Sequence, residues 1–292
     1  MKRKVLQAAM LILFFCGLAV FCYPKLTEWK AEEKTKKAEE DFQQELCEIQ
    51  EEDSANENIV RLYADMQEYN ERIYAEGQEN LKDPFAYEMP SFDLTKYGLK
   101  SNMIGMINIP KMNVKLPLYL GADSENMKKG AVILGETSMP LGGENTNVVV
   151  AAHRGYQGTP MFREIEMLQT GDKIELATLF DVLTYQVTET KVVLPDEISE
   201  ILIETGKDKI TLLTCHPYTK NTHRYLVYGE RCEGVKEPEK TIQKAETKEP
   251  QKRNEISSSE KQIRLETYVP VIGAGVILLL IVGGAILTKK RK

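Results

Sequence analysis

Ile59, Leu62, Met66, Tyr69 and Ile73 recur at steps of three and four. That spacing puts them on one stripe of an amphipathic helix, and Gly77 supplies a stop signal. Upstream, residues 25–53 are dense in Glu and Lys, which predicts a solvated helix spacing a domain from a membrane. Downstream, Pro84 and Pro90 fall within seven residues, so this stretch is an irregular loop rather than helix or central strand. From Met103 the period changes to two. Ile104, Met106 and Ile109 alternate around Gly105 and Asn108 until Pro110, and Val114, Leu116, Leu118 and Leu120 alternate afterwards. Short apolar runs at 131–134 and 147–152 are separated by the turn Gly142-Gly143. A short helical stretch over 162–168 closes at Gly171-Asp172, and strands follow at 173–176, 182–190, 209–215 and 224–232. Many short strands with little helix predict a closed barrel or a sandwich. Residues 233–266 are polar and charged and predict a flexible tether.

Two uncharged apolar stretches frame this pattern. Residues 5–24 follow Lys2, Arg3 and Lys4, and residues 267–288 precede Lys289, Lys290, Arg291 and Lys292. About 20 helical residues span the roughly 30 Å hydrocarbon core, so both stretches are long enough to cross a membrane. Basic flanks mark the cytoplasmic side, which puts both termini in the cytoplasm and everything between them outside. For the first stretch the rival reading is a cleaved signal segment, although no small-x-small site is evident.

Composition narrows the chemistry. The 292-residue chain is 42% hydrophobic and carries a net charge of -6, with no basic face for nucleic acid. Its five cysteines form no C-x-x-C, and its three histidines lack metal-binding spacing. The run Lys209-Ile210-Thr211-Leu212-Leu213-Thr214 delivers Cys215 to a strand end, and Arg224 opens the next strand nine residues later. His153 ends the buried run Asn147-Val148-Val149-Val150-Ala151-Ala152. Thiol acyl transfer needs these three types: a thiolate nucleophile, an imidazole to give the leaving amine its proton, and a cation for the oxyanion. Each also has a bland reading, since a strand-end Cys is usually a small buried hydrophobe and a strand-opening Arg a rim charge. On the residues alone the three remain candidates.

Thr211-Leu212-Leu213-Thr214-Cys215 resembles the TLxTC signature of sortases. Ala152-His153-Arg154-Gly155, Asn221-Thr222-His223-Arg224, Ile107-Asn108-Ile109-Pro110, Leu116-Pro117-Leu118-Tyr119 and Gly171-Asp172-Lys173-Ile174 extend the resemblance over residues 103–231. It implies a mainly β fold, an eight-stranded sortase-type β-barrel with N-terminal helices, a lid loop and flanking transmembrane helices. It also implies a cysteine transpeptidase using Cys215, His153 and Arg224, which cleaves an LPXTG-like signal between Thr and Gly through a thioacyl-enzyme. No metal or organic cofactor is implied, and no acidic cluster stands out for the calcium that some members use.

Asp83-Pro84-Phe85 resembles the lid motif of class C, pilin-polymerising sortases, and a C-terminal membrane helix after a tether fits the same class. That resemblance implies Asp83 and Phe85 as lid residues and pilin or surface proteins with sorting signals as partners. It further implies a pilin lysine as acceptor amine and a membrane-bound, extracellular catalytic domain. The expected organisation is an anchor or signal segment (1–24), juxtamembrane and docked helices (25–80), lid loop (81–98) and catalytic barrel (99–232). A tether (233–266), transmembrane helix (267–288) and basic cytoplasmic tail (289–292) complete it. Departures from the pattern are His216 after the cysteine, Thr219-Lys220 in place of a glycine-containing pair, and Asn147 where many members have a second histidine; all three are read as rim positions. Strand alternation points His216 away from Cys215, so neither it nor His223 is read as a proton-transfer group. Alternatives are a housekeeping sortase acting on cell-wall peptide and an inactive membrane-tethered scaffold. A papain-like protease is disfavoured because His153 precedes Cys215.

Overall fold

A computed structural model of the chain describes residues 2–51, 53–81, 83 and 90–232. Phe85, the tether, the second apolar stretch and the basic tail lie outside the described residues. The chain divides into two compact units; the described part of the first runs to Ala31, and the second is Glu32–Glu249. Two long helices come first, α1 (Lys2–Glu51) and α2 (Asp53–Glu76). In the first unit, Phe14, Phe15 and Phe21 are exposed along α1.

The second unit is built on eight strands: β1 (Met103–Ile109), β2 (Val114–Leu120), β3 (Ala131–Ile133), β4 (Thr146–Ala151), β5 (Lys173–Thr178), β6 (Val182–Val193), β7 (Asp208–His216) and β8 (His223–Arg231). They close into a barrel in the order β1-β2-β3-β4-β7-β8-β6-β5, which leaves no open sheet edge. The β2–β3 and β4–β7 pairs are parallel and the others antiparallel.

Strand alternation sorts the side chains into two cores. Val148, Val150, Ile210, Leu212 and Val227 join the cluster that fills the barrel and extends to Leu62, Met66, Tyr69 and Ile73 of α2. The intervening Val149, Ala151, Leu213, Leu226 and Tyr228 belong to a second cluster, closed by Phe42 of α1, Leu81, Met127 and Ile201. The helical stripe is thus the docked face of α2, which ends beside Gly77 at a φ of 72°. Buried Asn70 bonds both backbone groups of Met139, donating to its oxygen (3.2 Å) and accepting from its nitrogen (2.7 Å).

Three expectations need correction. The charged stretch 25–53 is not wholly a solvated spacer. Phe42 is 2% exposed, Glu45 accepts from the Lys100 backbone nitrogen at 2.6 Å, and Leu46 and Ile49 pack on the two clusters. The steps of four and three from Phe42 to Leu46 to Ile49 carried this signal beneath the surrounding charge. The helical stretch at 162–168 is mostly turn, with a single 3₁₀ turn at Ile165–Met167. A six-residue helix, α3 (Ser124–Lys129), was not foreseen; Asp123 caps it by accepting from the nitrogens of Glu125 and Asn126.

Candidate active site

The register of β7 and β8 sets Cys215 directly opposite Arg224. On the other side of β7, the parallel pairing with β4 runs to Ala151 beside Leu213. Two further bonds hold the strands together past this point: Ala152 nitrogen to Leu213 oxygen (3.2 Å) and Thr214 Oγ1 to Ala152 oxygen (2.8 Å). His153 follows two residues past the end of β4, and Cys215 is next along β7, where alternation puts it on the outer barrel face with Leu213. All three predicted residues therefore lie at the same end of the neighbouring strands β4, β7 and β8.

His153 is held from behind. Its carbonyl accepts from Phe162 nitrogen at 3.1 Å, and its ring stacks on Tyr156 with centroids 5.4 Å apart and planes 23° from parallel. Tyr156 is fixed by two backbone bonds with Thr159, each 2.9 Å. Residues 155, 157 and 158 have positive φ, and two of them are glycines, which makes so tight a loop accessible.

Asp83 grips Arg224 through both oxygens: Nε donates to Oδ1 at 3.0 Å, and Nη2 donates to Oδ2. The remaining terminal nitrogen donates to the carbonyls of Asn221 (3.3 Å) and His223 (3.1 Å). The guanidinium side chain is only 10% exposed, so this is a mostly desolvated, two-pronged ion pair.

Electrostatics follow from that arrangement. Burial pushes the Cys215 thiol up; Arg224 opposes the shift, Asp83 adds to it, and Arg154 opposes it. Burial also pushes the His153 imidazole down. With Asp83 in place, uncharged thiol and imidazole are favoured over the thiolate–imidazolium pair.

The departures fall into two groups. Asn147 is not at the rim: it is fully buried, donating to Ile201 oxygen (2.9 Å) and accepting from Thr211 Oγ1 (2.9 Å). It pairs with Lys209 in register, at the end of β4 remote from His153. Its place at the start of a buried strand hid this, because the covering turn at Ile198–Ile201 comes from elsewhere in the chain. His216 does turn from Cys215. Its Nδ1 lies 3.0 Å from Arg154 Nη1 and 3.2 Å from Glu166 Oε1. His223 Nδ1 is 2.9 Å from Thr222 Oγ1. Sequence reasoning missed Tyr156, Arg154 and Glu166 as neighbours of the site. Among the described residues no group of His, Cys, Asp and Glu is arranged to hold a metal ion.

A sortase-domain family model matches residues 107–232. Sortase C1 of GBS Pilus Island 1 is similar in structure at 33% identity and a TM-score of 0.59, over 72% of this chain and 96% of that one. Sortase C from Clostridium perfringens SM101 is 36% identical with a TM-score of 0.54, over 67% of this chain and 98% of that one. Among curated relatives, sortase D of Bacillus subtilis (strain 168) is 32% identical over 130 residues, 44% of this chain and 63% of that one. The match thus covers under two thirds of that relative's length. The chain belongs to the sortase family, a family of cysteine transpeptidases, and its solved neighbours include sortases of class C.

Proposed function

We propose that this chain is a class C, pilus-assembling sortase with Cys215 as nucleophile, His153 as its proton partner and Arg224 as the oxyanion cation. The observation carrying this is the placement of the three at one end of adjacent strands, with Cys215 opposite Arg224 and His153 just past the end of the neighbouring parallel strand β4. His153 takes the Cys215 thiol proton as the sulfur attacks the Thr carbonyl of an LPXTG-like signal, and the carbonyl oxygen takes the negative charge beside the Arg224 guanidinium. Collapse breaks the Thr–Gly bond, His153 protonates the departing glycine amine, and a thioester remains on Cys215. A pilin lysine amine then attacks that thioester, forming the new amide and giving a proton to His153, which passes it to the departing sulfur and restores the thiol.

The pairing of Asp83 with Arg224 supports a lid reading, in which the resting loop occupies the oxyanion cation and raises the thiol. Phe85, the other expected lid residue, lies outside the described residues. The solved structure titled a pilus-related sortase C of Group B Streptococcus, 36% identical over 90% of its own length, supports the pilin-directed class. Incubation with an LPXTG-type peptide and a lysine-bearing acceptor tests the reading. Wild type should release the glycine fragment, form a Cys215 thioester visible by mass spectrometry, and transfer it to lysine. Cleavage persisting in Cys215→Ala would overturn it.

A further inference from the structure

We propose that Arg154, held by Glu166 and His216, is a positioning residue that clamps the ends of β4 and β7 and so sets the approach of His153 to Cys215. The proposal rests on the thioacyl-transfer reading above. Its basis is register. His153 and Cys215 come two positions after the paired residues Ala151 and Leu213 of the parallel strands, and Arg154 and His216 come one position further still. Alternation along β7 turns His216 to the face opposite Cys215, and Arg154, in the bend that follows β4, meets it there. There Arg154 Nη1 meets His216 Nδ1 at 3.0 Å, Nη2 is ion-paired with Glu166, and Nε donates to Arg163 oxygen at 3.4 Å.

The chemistry fixes how this contact works. A guanidinium only donates, so in the 3.0 Å contact with Arg154 the His216 Nδ1 accepts and the ring is neutral with its proton on Nε2, while Glu166 Oε1, 3.2 Å from the same nitrogen, would take its proton when the ring is charged. Burial first and then the Arg154 charge push the His216 imidazole down against an upward pull from Glu166, with the balance on the neutral side. Glu166 keeps the Arg154 side chain, only 4% exposed, from being a stranded buried cation. The His216 ring is braced on its far side by Tyr225, with centroids 5.5 Å apart. A planar fork joining the two segments resists their spreading, whereas the β4–β7 ladder stops short of residues 153 and 215. A misplacement of about 1 Å between reacting groups costs on the order of 10²-fold in rate.

Charge and position can be separated. The charged and titratable groups that bear on Cys215 are Arg224, Asp83 and Arg154, with His153 at the adjacent strand end. In the full-length chain, kcat and KM for a sorting-signal peptide are measured beside the pH profile of Cys215 alkylation by iodoacetamide, read at that residue by mass spectrometry. Arg154→Gln removes both charge and clamp; kcat should fall about tenfold to a hundredfold with KM nearly unchanged, and alkylation should move to higher pH. Arg154→Lys keeps the charge but not the planar fork, so alkylation should stay as in wild type while kcat falls as far. His216→Thr should behave like Arg154→Lys, and the double variant Arg154→Gln/His216→Thr should be no worse than Arg154→Gln alone. Thermal melting identifies which variants are folded; Arg154→Lys and His216→Thr keep the test open if Arg154→Gln does not fold. Wild-type kcat in folded Arg154→Lys and His216→Thr, or losses that simply add, would overturn the clamp. Cleavage surviving in Cys215→Ala is a different result, which removes the underlying reading instead.

Discussion

Asp83 places a carboxylate on the guanidinium of Arg224, and that contact reaches the Cys215 sulfur across one strand spacing. Its effect on the thiol has a definite sign. A nearby negative charge disfavours the thiolate, and the same carboxylate offsets the Arg224 charge that would favour it. Asp83→Ala should therefore shift Cys215 alkylation to lower pH and speed it several-fold at neutral pH. An unshifted profile in the folded variant would rule out the lid role of Asp83. Arg224→Lys asks a different question, because an ammonium cannot reproduce the two-pronged fork. It should lower kcat by about 10²–10³, the usual cost of a lost oxyanion donor, and near-wild-type turnover would remove Arg224 from the chemistry. Tyr156 acts one step further back, through its stacking on His153. Tyr156→Ala should lower kcat more than it raises KM, while Tyr156→Phe, which keeps the ring, should restore it.

At the scale of elements, the period-two runs made the strands legible, because each strand has one face in the barrel and the other under covering segments or solvent. Strand-end positions alone left Cys215, His153 and Arg224 as candidates, and it was the resemblance carried by Thr211-Leu212-Leu213-Thr214-Cys215 that singled them out. What the sequence hid was non-local. Glu166 meets Arg154 from twelve residues away through a turn, and the turn covering Asn147 comes from the segment between β6 and β7. The docking of α1 was concealed because Phe42 and Leu46 are separated by polar Gln43, Gln44 and Glu45, and Glu45 is itself buried and bonded to the Lys100 backbone. This docking carries a measurable cost. Phe42→Ala should destabilise the folded unit by about 3–5 kcal/mol, the usual loss for a buried aromatic. A helix that merely spaced the domain would lose no more than about 0.5 kcal/mol. Denaturant melting with an unchanged slope separates the two.

On the scale of the whole molecule, the expected arrangement is a membrane-held enzyme whose catalytic unit faces outward. The helix α1 holds a stretch apolar enough to cross a bilayer, and large apolar side chains such as Leu11, Phe14 and Phe21 are exposed along it. Exposed phenylalanines on a helix are costly in water and favourable in lipid tails. Basic Lys2, Arg3 and Lys4 precede the stretch, so the positive-inside rule predicts that end in the cytoplasm and the barrel outside. The native cysteines report this order without any engineered label site. Cys16 and Cys22 lie in the apolar stretch, while Cys47 is free and exposed beyond it. A membrane-impermeant maleimide applied to intact cells should label Cys47 and leave Cys16 and Cys22 unmodified until detergent is added. A Cys47→Ser variant should lose that rapid label, which identifies the site. Labelling of Cys47 only after lysis would reverse the orientation, and equal labelling of Cys16, Cys22 and Cys47 in intact cells would mean that the stretch does not sit in the bilayer.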